Sequence, residues 1–175
     1  MAGPAGVGKM KEIRIDLGGG LVPRPGHINI DLIKEADIVH DLNSGLPMKE
    51  VIYMKDGKGN FKSVDVLENV GITAFAANHL LEHLSNIIPL MNDCYEALTP
   101  GGVFEISTPH AGTKEWYQDP THVKAFVKES FLYFAKDSPF KKEQKEYGIT
   151  ARFNIDRAER GKGVDKWQLF VTLYK

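Results

Sequence analysis

With 175 residues, 42% apolar and 26% charged side chains, the chain has the length and balance of one globular domain with a buried core, which excludes a disordered or fibrous protein. A formal net charge of -1 excludes the global basic field that recruits nucleic acid or anionic membrane, so neither is expected as a partner. The single cysteine, Cys94, excludes an intramolecular disulfide framework and a Cys-cluster zinc site.

Residues 1–12 read as a flexible leader ahead of one domain over 13–175. Met1-Ala2-Gly3-Pro4 does not open a signal peptide and no apolar stretch reaches membrane-spanning length, so the expected compartment is the cytoplasm. Gly3 to Met10 nearly spells the phosphate-cradling loop G-x-x-x-x-G-K-[ST], but Met10 replaces the hydroxyl residue that would hold magnesium. A strand starting at Ile13 also leaves no room for the helix such a loop needs.

Residues 13–17 alternate and are rich in branched side chains, predicting a strand that ends in the turn Gly18-Gly19-Gly20. Short strands follow at Ile28-Asn29-Ile30 and Asp37 to His40, ending at Asp31 and Asp41. Only seven residues separate Gly20 from Ile28, and Pro23 and Pro25 among them forbid a full crossover helix. Residues 51–66, with the turn Asp56-Gly57-Lys58-Gly59, read as a hairpin-like excursion. Ile72 to Ala77 is a fourth, fully buried strand, followed by a short helix over Leu80 to Leu84. A longer helix starts near Pro89, with Leu90, Met91, Cys94, Tyr95 and Leu98 at helical spacing, and stops at Thr99-Pro100-Gly101-Gly102. Val103 to Ser107 is a fifth strand. Thr121 is placed to cap a further helix burying Val123, Phe126, Val127, Phe131 and Phe134. The Lys-rich run 136–145 reads as a solvated surface, and two last strands are expected over 148–156 and 166–174. This order predicts a mostly parallel sheet with an antiparallel edge in an α/β domain.

Two motifs offer chemistry. His79-Leu80-Leu81-Glu82-His83 matches the zinc pattern H-x-x-E-H, and a zinc hydrolase through His79, Glu82 and His83 is a minor alternative. A catalytic zinc needs a third protein ligand, however, and the sequence nominates none, so no metal site is assigned. The plainer reading packs Leu80, Leu81 and Leu84 while His83 bonds a nearby carbonyl. The stronger motif is Asp16-Leu17-Gly18-Gly19-Gly20 with Asp31 at the end of the next strand. Glycines let backbone approach a ligand, and the second acid is placed for two ribose hydroxyls. The alternative is a glycine turn that merely reverses the chain. Nicotinamide cofactors use the same logic, but G-x-G-x-x-G would put Pro23 at its last position and needs a helix facing the pyrophosphate. A nucleoside cofactor without phosphates needs no such helix.

The segments IDLGGG (15–20), INID (28–31), IVHDLNSGLP (38–47), NHLLEHL (78–84), ALTPGGVFEISTPH (97–110) and DPTHV (119–123) occur in the order found in class I S-adenosylmethionine-dependent methyltransferases, which the chain resembles. The resemblance implies a Rossmann-like three-layer sandwich whose mostly parallel sheet has an antiparallel C-terminal strand, and S-adenosylmethionine as cofactor. It also implies Gly18, Gly19 and Gly20 beneath the methionine moiety with Asp16 near its ammonium, Asp31 on the ribose and Leu32 against adenine. Asp41 and Leu42 would edge the adenine pocket, and Asn78 and His79 would line the floor near the methyl group. Residues 48–71 are an insertion that the family pattern does not explain, serving as a lid, an acceptor element or a homo-oligomer contact.

The expected reaction is methyl transfer to a small-molecule, saccharide- or lipid-type acceptor, through oxygen. One of His110 and His122 would be the general base, oriented by Asp119. The plainer reading of Asp119-Pro120 is a turn. The signature N-P-P-Y of amino-group nucleic-acid methyltransferases is absent, since His79 follows Asn78. A non-catalytic nucleoside-binding or scaffold protein with a vestigial pocket is the alternative.

Overall fold

The computed structural model describes residues 12–47, 51–55, 61–65 and 71–175. The strands are β1 (Ile13–Leu17), β2 (Ile28–Asp31), β3 (Ile38–Val39), β4 (Val51–Lys55), β5 (Phe61–Asp65), β6 (Ile72–Asn78), β7 (Leu98–Pro109), β8 (Asn154–Arg160) and β9 (Gln168–Tyr174). The helices are α1 (Ile88–Ala97), α2 (Lys114–Gln118) and α3 (Lys141–Glu146). Seven strands form one sheet in the order β3-β2-β1-β6-β7-β9-β8. Neighbours from β3 to β7 pair in parallel, and β9 runs antiparallel to both β7 and β8. The expected α/β sheet with an antiparallel C-terminal strand is therefore present. The antiparallel strand is not the edge, however, because β9 inserts beside β7 and leaves β8 outermost. β4 and β5 pair with each other as a separate antiparallel two-stranded sheet. Residues 1–11 of the leader, with the phosphate-loop look-alike, and the turn at 56–59 lie outside the described residues.

The alternation of residue types sets the two faces of the sheet. Ile13, Ile15, Leu17, Phe75, Phe104, Ile106, Val171 and Leu173 join one buried cluster with Leu90, Met91 and Cys94 of α1. Each such side chain contributes about 1.5–3 kcal/mol on leaving water. Pro89 in its first turn and the spacing of its apolar residues make α1 a helix that seats on this face. The opposite face carries Arg14, Glu105 and Arg157. Among the described residues no α-helix occurs before β6, and the β1–β2 join at 18–27 is a loop, as its prolines require. From that loop Arg24 reaches over the sheet, donating to Glu105 Oε2 at 2.7 Å and to Asn78 Oδ1 at 3.1 Å.

Several expected elements fold otherwise. The helix from Thr121 does not form; residues 119–127 are irregular and a 3-10 run covers Lys128–Phe134. The amides that would build it are spent on tertiary partners: Val123 N and Lys124 N donate to Glu82 O, and Ala111 N takes the Phe126 carbonyl. Phe126, Phe131 and Phe134 are buried as expected, but Val123 is 58% exposed. The strand expected from 148 starts only at Asn154, because Asn92 of α1 accepts from Thr150 N and Ala151 N and donates to Gly148 O. Leu98 opens β7 instead of closing α1. The short helix over Leu80 to Leu84 is a 3-10 turn at Leu81–His83. Two helices went unforeseen, α2 and α3, the latter overlapping the end of the Lys-rich run. There Gln144 is buried and donates to the carbonyls of Tyr133 and Ala135.

Candidate active site

Parallel strands leave a crevice beyond their carboxyl ends where the order of the sheet reverses. In this sheet the reversal falls between β1 and β6, and a cleft of about 250 Å³ opens there. Gly18 just after β1, Asp31 at the end of β2 and Leu32 after it, Asp41 and Leu42 after β3, and His79 after β6 all line it. These are six of the ten residues expected at a cofactor.

The glycine turn and the second strand are tied together by Asp31. Its Oδ2 accepts from Gly20 N at 2.9 Å and its Oδ1 from Ile33 N at 3.3 Å. Each oxygen keeps a further lone pair for a ligand. Gly18 and Gly20 hold φ of +67° and +58°, which glycine adopts without cost. Gly19 serves packing: a Cβ there would stand 2.7 Å from both Asn29 Oδ1 and Asp16 Oδ2. Asp16 is buried beside the turn; its Oδ2 accepts from Arg24 N, and its Oδ1 has no partner among the described residues.

The far wall is built by Asp41, which caps the turn Leu42–Ser44. The Asn43 backbone amide, then its side chain, bond the Asp41 carboxylate and hold its pKa below the ordinary 3.8. Leu32 is 66% exposed, an apolar surface turned toward the opening. His79 has a left-handed φ of +49°, rare for a residue with a Cβ. Its Nδ1 donates to Glu82 Oε1 at 3.1 Å and its ring stacks on Trp167.

The remaining expectations separate in space. The Asn78 side chain accepts from Ser107 and Arg24 and lines a neighbouring hollow with Glu105 and Arg157, not the cleft. His110 donates from Nδ1 to the Ala111 carbonyl and lines another cavity with Lys128 and Arg160. Asp119 accepts from the Thr121 hydroxyl at 2.6 Å and from its amide at 2.8 Å, which lowers its pKa, the hydroxyl bond first. His122, 7% exposed at its side chain, stands edge-on to His83 with ring centroids 4.8 Å apart. His83 in turn lines the cleft and bonds the Thr121 hydroxyl, not the carbonyl expected for it. His40, Asn43 and His83 are wall residues that sequence reasoning missed. Their signal was adjacency to Asp41 and to Glu82.

The chemical character of the cleft is acidic and apolar. Two carboxylates, Asp31 and Asp41, face Leu32, Leu80 and Leu84, and among the described lining residues none is Lys or Arg. Such a wall suits a nucleoside with a cationic centre and offers no Lys or Arg to a pyrophosphate.

No protein-family model matches the sequence, and no curated protein matches it at the level of sequence. Solved structures do match the fold. A methyltransferase from Haloferax volcanii, solved in complex with the methyltransferase activator Trm112, gives a TM-score of 0.55 at 9% identity, over 95% of this chain and 85% of that one. YcgJ from Bacillus subtilis gives 0.51 at 11% identity, over 94% and 92%. An S-adenosylmethionine-dependent methyltransferase from Archaeoglobus fulgidus gives 0.50 at 14% identity, over 95% and 87%. The likeness spans the sheet that carries the cleft, and the chain has the fold of the class I S-adenosylmethionine-dependent methyltransferases.

Proposed function

We propose that the chain is an S-adenosylmethionine-dependent methyltransferase acting through oxygen on a small-molecule, saccharide- or lipid-type acceptor. The observation that carries the reading is the cleft wall, acidic at Asp31 and Asp41, apolar at Leu32 and without Lys or Arg among its described residues. When bound there, the cofactor supplies a methyl group on a positively charged sulfonium. Asp31 accepts from ribose hydroxyls, Leu32 covers one face of adenine, and Asp41 and Leu42 edge the base. Buried Asp16 Oδ1, without a partner among the described residues, suits an ammonium group beside the glycine turn. Alignment of acceptor and donor supplies most of the rate in such a displacement. Of the two histidines expected as base, neither lines the cleft: His110 opens onto a different cavity, and His122 stands behind His83.

Calorimetry with S-adenosylmethionine and, separately, with NAD tests the reading. Micromolar binding of the first and none of the second is expected, with Asp31→Ala weakening the first by about tenfold or more, equivalent to roughly 1.4 kcal/mol. Silence with both ligands would favour the scaffold alternative.

A further inference from the structure

We propose that Glu82, His83 and His122 bind one divalent transition-metal ion. A carboxylate oxygen of Glu82 and a ring nitrogen from each histidine lie within 4.8 Å of one another. Glu82 is fully buried at 0% exposure; Oε1 accepts from His79, and Oε2 has no hydrogen-bond partner among the described residues. A carboxylate oxygen taken out of water without a partner is costly, and a cation beside it removes that cost.

Hydrogen bonds set both imidazoles for ligation. The Trp116 carbonyl can only accept, so His122 donates to it from Nδ1, at 2.8 Å, and Nε2 keeps its lone pair. The Thr121 hydroxyl gives its proton to Asp119 at 2.6 Å, so its oxygen accepts from His83 Nδ1 at 2.9 Å and frees His83 Nε2. One nitrogen donating to a protein oxygen while the other binds is how metal-bound histidines are held.

The backbone locks the two contributing segments together. Val123 N and Lys124 N both donate to Glu82 O, which clamps the loop bearing His122 onto the turn bearing Glu82 and His83. Tetrahedral zinc with bonds of about 2.0–2.1 Å holds its donors roughly 3.3 Å apart, so side-chain rotations of about an ångström close the set. Two imidazoles and a carboxylate suit zinc and cobalt(II), which bind such donors more tightly than manganese or iron(II) does. His79, the first residue of the H-x-x-E-H pattern, orients Glu82 instead of binding the ion, and the third ligand comes from His122. A nitrogen on a metal is not a free base, so the site makes His122 a ligand.

The site does not depend on the methyl donor, and its test is run without one. Full-length protein lacking any histidine tag is stripped with a chelator, then titrated with zinc by calorimetry and with cobalt(II) by visible absorption. One equivalent should bind, with cobalt bands typical of low coordination and a rise in unfolding temperature. Glu82→Gln, His83→Gln and His122→Gln should each weaken binding at least tenfold, while His27→Gln in the β1–β2 join leaves it unchanged. Wild-type protein that takes up no stoichiometric metal overturns the proposal, as do folded variants that bind like wild type. His83→Gln, on the cleft wall, keeps the test decisive if the variants at the two more buried positions fail to fold.

Discussion

Gly18 and Gly20 both occupy the left-handed region, yet a methyl group would meet different things at each. At Gly18 a Cβ would press on Leu80, 2.8 Å from Cδ1 and 3.2 Å from Cβ, and Leu80 lines the cleft. At Gly20 it would meet nothing within 4 Å. Gly20→Ala should therefore disturb no packing in the free protein, cost about 1–2 kcal/mol for its backbone conformation, and weaken cofactor binding less than Gly18→Ala does. Gly18→Ala should cost more and weaken the cofactor, because Leu80 must move into the cleft. Denaturant unfolding and calorimetry on the pair check this; equal effects on affinity would detach Gly18 from the cleft. Asp41 offers a second contrast. Its folded pKa lies below 3.8, so its contribution to stability is complete above that pH and is lost as pH falls through the lowered value. Asp41→Ala and wild type should differ in unfolding midpoint at neutral pH and converge in acid. The placement of Gly18, Asp31 and Asp41 on the cleft was legible from sequence because a tight turn and a strand end restrict residue type. Asn78 was not, since its side-chain direction depends on Arg24 arriving from a loop more than fifty residues away. The meeting of Glu82 with His122 was equally hidden, resting on backbone bonds between distant segments.

Elements were legible where their own pattern decided them and illegible where a partner did. β1, β6 and α1 follow from alternation, from an apolar run and from a proline at a helix start, and all three stand close to their expected bounds, whereas β7, expected over 103–107, runs from Leu98 to Pro109 and takes in the residues expected to form a turn. Residues 148–151 carry a strand-like pattern, but Asn92 takes their backbone groups. Its Nδ2 reaches Gly148 O at 2.8 Å, and its Oδ1 receives Thr150 N at 2.9 Å and Ala151 N at 3.1 Å. A single side chain thereby sets where β8 can begin. Asn92→Ala should destabilise the fold by about 1 kcal/mol, since it strips a partner from the partly buried amide of Ala151 while water can reach Gly148 O and Thr150 N. A loss below half a kcal/mol in urea titrations would mean that water replaces the amide freely. The same logic explains the missing helix after Thr121, whose amides are committed to Glu82 and whose Phe126 carbonyl is taken by Ala111.

At the scale of the molecule, the sheet separates a well-packed interior from a loosely covered rim. β1, β6, β7 and β9 are paired on both sides and share one buried cluster, so their amides should open only with global unfolding. The rim that shapes the cleft is made of short irregular segments: the glycine turn and its join, the stretch after β2, and the turn at Leu42–Ser44. Few apolar side chains fasten them; Leu21, Val22 and Leu32 are exposed. Segments of this kind open locally at low free energy, and a ligand that bridges Gly18, Asp31 and Asp41 would pay for holding them closed. Hydrogen exchange with and without S-adenosylmethionine separates the two layers. Protection should rise at residues 18–20 and 32–44 while β6 and β7 stay unchanged, because the sheet is already closed. A rise confined to 127–129 and 158–160, around the cavity that His110 lines, would move the ligand to the other side of β9 and dissolve the assignment of Asp31 to the ribose.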